Sequence, residues 1–201
     1  MTRITNNPRR YRSKLREQQA EETRALILDA AGKVIAGGLA SVSIPAVARE
    51  AGVSVPTVYR HFGSKEGLLD AIYPHVLRRS GLDRLPPPRS IEELRAGTRA
   101  YIERVESFDE LARAAMASPG SEEVRARSMP ERLAIFRRIA DTVEPKLADE
   151  DRDRLVRLMV VLSTSSSLRT WRNHLGASVD ETADDIDWIV RAAIAASRKA
   201  P

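Results

Sequence analysis

The chain has 201 residues, a formal charge of +5 and no cysteine, which leaves room for one extended helical unit or two small domains and excludes disulfides and thiolate metal sites. No stretch approaches the ~20 apolar residues of a membrane span, and no apolar run follows the basic N-terminus as in a secretory signal, so a cytoplasmic protein without a membrane partner is expected. The charge is unevenly placed: residues 1–80 hold 13 Lys and Arg against 7 Asp and Glu, a balance of +6, whereas residues 81–201 hold 20 against 21, a balance of −1. Such a split implies a polyanion-binding N-terminal half.

Residues 1–16 carry Arg3, Arg9, Arg10, Arg12, Lys14 and Arg16 and no acid. This run reads either as a disordered, solvated tail or as an arm that lies along phosphates or enters a minor groove; both hold if it orders only on DNA. A first helix is expected from about Gln18 to Ala36, with Ile27, Ala31, Val34 and Ile35 inward and Gly37-Gly38 ending it. Ser43, Ser54 and Ser64 are placed as N-caps of three further helices. Pro45 and Pro56 fall in first turns, where a missing N–H is harmless, and Glu66 sits at a positive helix end.

Residues 43–69 read as two short helices meeting at a glycine turn with a third close behind. Ala48 lets the helices cross closely, Gly52 supplies the positive φ of the turn, and Val58 points the second helix back onto the first. Ser54, Val55, Pro56, Thr57, Tyr59, Arg60 and His61 then cluster at the start and outer face of the second helix, where a helix-turn-helix presents its reading residues to the major groove. Thr57 and Tyr59 suit phosphate, and Arg60 suits guanine or phosphate. Val55 and Pro56 offer only apolar contact, for instance to thymine methyls. Phe62 is assigned to the core, and His61 is either a phosphate contact or a structural residue.

The Ala-Gly-Val-Ser turn at 51–54, then Thr57, Tyr59, His61, Phe62, Ser64-Lys65-Glu66, Leu68 and Leu69, resembles the DNA-binding domain of the TetR family of one-component transcriptional regulators. The likeness spans roughly Glu17 to Leu77 and includes the helix around LILDAAGKVIAGG. It implies that Lys65, at a helix start, contacts phosphate; Ser43 and, by their charge, Arg9, Arg10 and Arg12 are further DNA-contact candidates. It also implies a helical ligand-binding half and a homodimer in which the last two helices form a four-helix bundle with their symmetry mates.

GLDRLPPPRS at 81–90 is the clearest boundary, since three prolines favour a stiff extended connection. The expected division is an arm at 1–16, a helix-turn-helix domain at 17–80, a connector at 81–90 and a helical effector-binding and dimerisation domain at 91–201. Amphipathic segments follow at about 91–106, 108–117, 121–143, 149–175 and 179–198, with no period-2 pattern. The fold class is all-α, with about nine helices. Leu168, Ile186, Ile189, Val190, Ala193 and Ile194 are candidates for the dimer interface, the alternative being that they complete the monomer core. Tyr101, Met116, Phe136, Met159, Ser163, Ser166, Ser167 and Trp171 are candidates for an effector pocket. Within that set the hydroxyl cluster at 163–167 has a second reading, in which its side chains bond back to carbonyls one turn earlier.

His61, His75 and His174 stand far apart with no metal-ligand spacing, and no base stands at an obvious spacing from the serines, so neither an enzyme nor a cofactor is expected. The expected function is a sequence-specific, homodimeric transcriptional regulator, most simply a repressor, that leaves a palindromic operator in double-stranded DNA when a small-molecule effector binds. The alternative is a non-specific or architectural DNA-binding protein without an effector. A helical protein-interaction module is disfavoured by the basic N-terminal half.

Overall fold

The computed structural model describes residues 8–38 and 42–198, with side chains from Lys14 onward. Arg9, Arg10 and Arg12 therefore have side chains outside the described residues, and Arg3 lies outside them altogether. Among the described residues every regular element is helical: α1 (Pro8–Ala36), α2 (Ile44–Glu50), α3 (Val55–Phe62), α4 (Lys65–Ser80), α5 (Leu94–Glu106), α6 (Glu110–Ala117), α7 (Ser121–Val143), α8 (Asp149–Leu162), α9 (Ser165–Arg169) and α10 (Val179–Ser197). A 3-10 turn covers Leu82–Arg84.

Two of these boundaries differ from expectation. Helix α1 starts at Pro8 rather than near Gln18, so residues 8–16 lie on the same helix as residues 17–36. Nothing from Arg9 to Arg16 breaks a helix, and a proline in the first turn costs no hydrogen bond. The expected segment 149–175 is interrupted at its hydroxyl cluster. Ser163 ends α8 with its hydroxyl donating to the Met159 carbonyl at 2.8 Å, and Thr164 caps α9 by accepting the Ser167 N–H at 3.1 Å. Short hydroxyl side chains compete with the helix ladder in this way, which raises the count to ten helices. A wider turn at Thr170–His174, closed by Leu175 N–H to the Thr170 carbonyl at 2.9 Å, follows α9.

The N-terminal core is built from Ile27, Ala31 and Ile35 of α1, Val47 and Ala48 of α2, Val58 of α3, and Leu68, Leu69 and Ile72 of α4. Val124 of α7 belongs to the same cluster, so the N-terminal core is completed by a helix from much later in the chain. A second core joins Leu94 of α5, Ala140 of α7, Val156 and Met159 of α8, and Ile186, Val190 and Ile194 of α10.

That second core decides where the candidate dimer residues stand. Leu168, Ile186, Val190 (0% exposed) and Ile194 are buried within the protomer, while Ile189 and Ala193 are half-buried. Four of the six thus face the chain's own helices: the apolar stripe of α10 packs on α5 and α8, and Leu168 of α9 joins Ile102 of α5 and Ala183 of α10 in a third cluster. Large apolar side chains left outward in the C-terminal half are Trp188 of α10, 71% exposed, Val161 of α8, Leu175 and Leu111 of α6, with Ala192, Ala195 and Ala196 exposed further along α10.

Candidate nucleic-acid interface and interior cavity

Helices α2 and α3 begin on the same three-residue logic, Ser43-Ile44-Pro45 and Ser54-Val55-Pro56. Each serine takes an extended backbone and accepts the amide three residues on, Ala46 at 3.4 Å and Thr57 at 3.3 Å. Between the helices, the Val53 N–H reaches the Ala48 carbonyl at 3.0 Å and the Gly52 N–H reaches the Arg49 carbonyl at 3.2 Å, with Gly52 at φ 66°. This double closure, with a left-handed residue just past the helix end, sets the angle at which α3 leaves α2.

Val58 and half-buried Phe62 anchor the inner side of α3, which leaves Tyr59 (47% exposed), Arg60, Ser54 and Pro56 on the surface. Arg60 pairs with no carboxylate among the described residues. Thr57 is half-buried, and its hydroxyl meets that of Ser54 at 2.9 Å. Val55, a candidate base contact, is half-buried against the domain core, so its methyls face inward. His61 is half-buried as well; burial first, then the neighbouring Arg60 and Arg24 guanidiniums, push its imidazole below the ordinary value. In the free protein these neighbours disfavour the charged form of the ring.

Ser64 caps α4 by accepting the Gly67 N–H at 3.0 Å, which puts Lys65 in the first turn. Its ammonium is not free: Lys65 Nζ lies 3.1 Å from Glu123 of α7. Two residues here carry no periodic signal in the sequence. Arg24 of α1 donates to the His61 carbonyl at 2.9 Å and stacks over the Phe62 ring at 4.4 Å, fastening the end of α3. Gly67 passes so close to Phe62 that a Cβ there would stand 2.1 Å from its carbonyl oxygen.

Beyond the reading head, α4 continues into the second half of the protein. Asp70 takes a two-pronged bond from Arg127 of α7 at 2.6 and 2.8 Å. Tyr73 and Leu77, one to two turns further on, line two neighbouring cavities of about 210 Å³ each. The first lies among α4, α5, α7, α8 and α10, roofed by Pro86, Pro87 and Pro88 of the connector. The second reaches toward Leu28 and Ile35 of α1 and toward α6. Tyr73, Tyr101 and Arg132 belong to both walls. Tyr101 donates to the Ser163 carbonyl at 3.0 Å, and burial pushes its phenol up to about 12.

Of the candidate pocket residues, Tyr101, Phe136, Met159 and Ser163 line the first cavity and Met116 lines the second. Ser166, Ser167 and Trp171 line neither. The Ser167 hydroxyl donates to the Val161 carbonyl at 2.5 Å, and Ser166 is exposed, so this part of the cluster shapes the α8–α9 break. Sequence reasoning missed Tyr73, Arg132 and the connector prolines as wall residues.

Residues 27–72 match the profile of the bacterial regulatory proteins of the tetR family. Among curated proteins none matches the chain. Among solved structures, one similar in fold is NalD of Pseudomonas aeruginosa, described as the secondary repressor of the MexAB-OprM multidrug efflux pump. The two superpose with a TM-score of 0.55 at 21% identity, over 87% of this chain and 96% of that one.

Proposed function

We propose that this chain, whose residues 27–72 match the bacterial regulatory proteins of the tetR family, acts as a DNA-binding homodimeric repressor whose hold on a roughly palindromic operator is broken by a small molecule. The observation that carries the reading is the exposed pair Tyr59 and Arg60 on the outer side of α3, in the half of the chain whose charge balance is +6. Each subunit lays α3 in a major groove, and phosphate contacts from Thr57, Tyr59 and Lys65 fix its register. The repressor role of a protein with a similar fold supports the direction of control.

Helix α4 supports the effector response. It holds Lys65 at the DNA end and Tyr73 and Leu77 at the cavity, so a ligand that displaces the cavity wall acts on the same helix as a phosphate contact. The ligand works only by binding the released arrangement more tightly than the DNA-bound one. Two-fold pairing uses the outward apolar side chains of the C-terminal half, foremost Trp188.

Hydroxyl-radical footprinting on a duplex selected from a random pool tests the proposal. Two protected half-sites should lie on one side of the duplex, about 34–36 Å or one helical turn apart, with two chains bound. A single half-site, or protection with no defined register, would remove the dimeric reading.

A further inference from the structure

We infer, on the footing of that effector reading, that the first cavity takes an organic carboxylate, its apolar body among the aliphatic walls and its anionic head on Arg132. Arg132 is the one charged side chain among the residues lining this cavity. Its guanidinium sits over the Tyr73 ring at 4.3 Å, and its Nε donates to the Ser128 hydroxyl at 3.2 Å. Among the described residues its two terminal nitrogens make no hydrogen bond and no carboxylate pairs with it. Of the other arginines on this helix, Arg125 pairs with Glu122, Arg127 with Asp70 and Arg137 with Asp153, while Arg138, which also lacks a carboxylate partner among the described residues, lines neither cavity.

A guanidinium presents five donors in a planar fork, and here one is used within the protein. The fork matches a carboxylate in two parallel bonds, which are stronger than bonds to neutral acceptors. A neutral ligand would leave the charge uncompensated in an apolar wall, and a cationic one would add repulsion. Four other hydroxyls lie on this wall, and those of Tyr73 and Thr98 are neutral donors beside the charged fork. The Tyr101 hydroxyl already donates to the Ser163 carbonyl, and the Ser163 hydroxyl donates to the Met159 carbonyl. Leu94, Ile102, Phe136 and Ile139 provide the apolar surface for the body.

Calorimetric titration of the full chain with octanoate, octanamide and octylammonium tests this, because the three probes share a tail and differ in head charge. Octanoate should bind about tenfold or more tighter than octanamide, and octylammonium weakest. Arg132→Met should erase the octanoate preference, leaving acid and amide equal. Arg132→Gln, which retains a donor without the charge, serves if the first variant does not fold, and should erase it likewise. Equal affinity for octanoate and octanamide in the natural chain, or a preference that survives either folded variant, overturns the carboxylate assignment. Fluorescence anisotropy of labelled duplex in the same samples keeps the two readings apart. Octanoate that binds through Arg132 without weakening DNA binding upholds the carboxylate site and removes effector release. Release by a neutral compound, with no octanoate binding, does the reverse.

Discussion

The ammonium of Lys65, in the first turn of α4, is bonded to the carboxylate of Glu123 on α7 at 3.1 Å. Both side chains are partly exposed, so the pair contributes at most about 1 kcal/mol to stability. Its weight lies elsewhere. In the proposed DNA complex, phosphate would compete with Glu123 for this cation, and the pair already ties α4 to the helix that carries Arg132.

Lys65→Ala should weaken binding to every duplex about equally and flatten the log–log salt slope by about one. Glu123→Gln should strengthen binding, because the lysine is then free. Melting temperatures of both variants should stay near that of the natural chain. Anisotropy titrations over a salt series measure this; an unchanged slope for Lys65→Ala would mean that Lys65 never reaches phosphate.

Gly67→Ala should destabilise the protein by about 1–3 kcal/mol in chemical denaturation, since the added methyl would need the Phe62 carbonyl to move. Gly52→Val should cost about 1 kcal/mol or more for a different reason, its forced φ of 66°. Denaturation midpoints equal to that of the natural chain would contradict both accounts.

The contrast between these glycines shows what the sequence carried. Gly52 was legible because a turn between two capped helices demands a left-handed residue, and the Ser43, Ser54 and Ser64 caps were legible for equally local reasons. Gly67 was not, because its need comes from the approach of Phe62 across a bend. The dimer candidates illustrate the other limit: periodicity finds the apolar stripe of α10 but not which neighbour covers it, and Ile186, Val190 and Ile194 turn inward onto α5 and α8. Arg132 reads as one surface arginine among many until its missing carboxylate is seen in three dimensions.

Asp29 of α1 accepts from His75 of α4 at 2.8 Å and from Arg79. Partial burial works to raise its carboxyl, but the bonds from His75 and Arg79 outweigh burial and hold it below the ordinary value of 3.8. A depressed acid stabilises the fold above its unfolded value and loses that contribution as pH falls through the folded one. Asp29→Asn should therefore lower the melting temperature at pH 7, with the gap to the natural chain closing below about pH 4. A gap that stays constant across that range would show that the α1–α4 bonds do not depend on the carboxylate charge.

Trp188→Arg should convert a dimer to a folded monomer in sedimentation velocity, because this side chain is outward and apolar. Val190→Arg should instead unfold the protomer, since it would bury a charge in the core, and circular dichroism separates the two outcomes. A Trp188→Arg protein that remains dimeric would move the interface away from α10.

The most direct test of DNA reading is competition at fixed salt between a duplex selected from a random pool and its scrambled counterpart, followed by anisotropy. A regulator with this reading head should prefer the selected duplex by about 10³-fold or more and lose most of that preference as Tyr59→Ala and Arg60→Ala combined. Equal affinity for both duplexes would contradict sequence-specific regulation and leave only a non-specific basic surface.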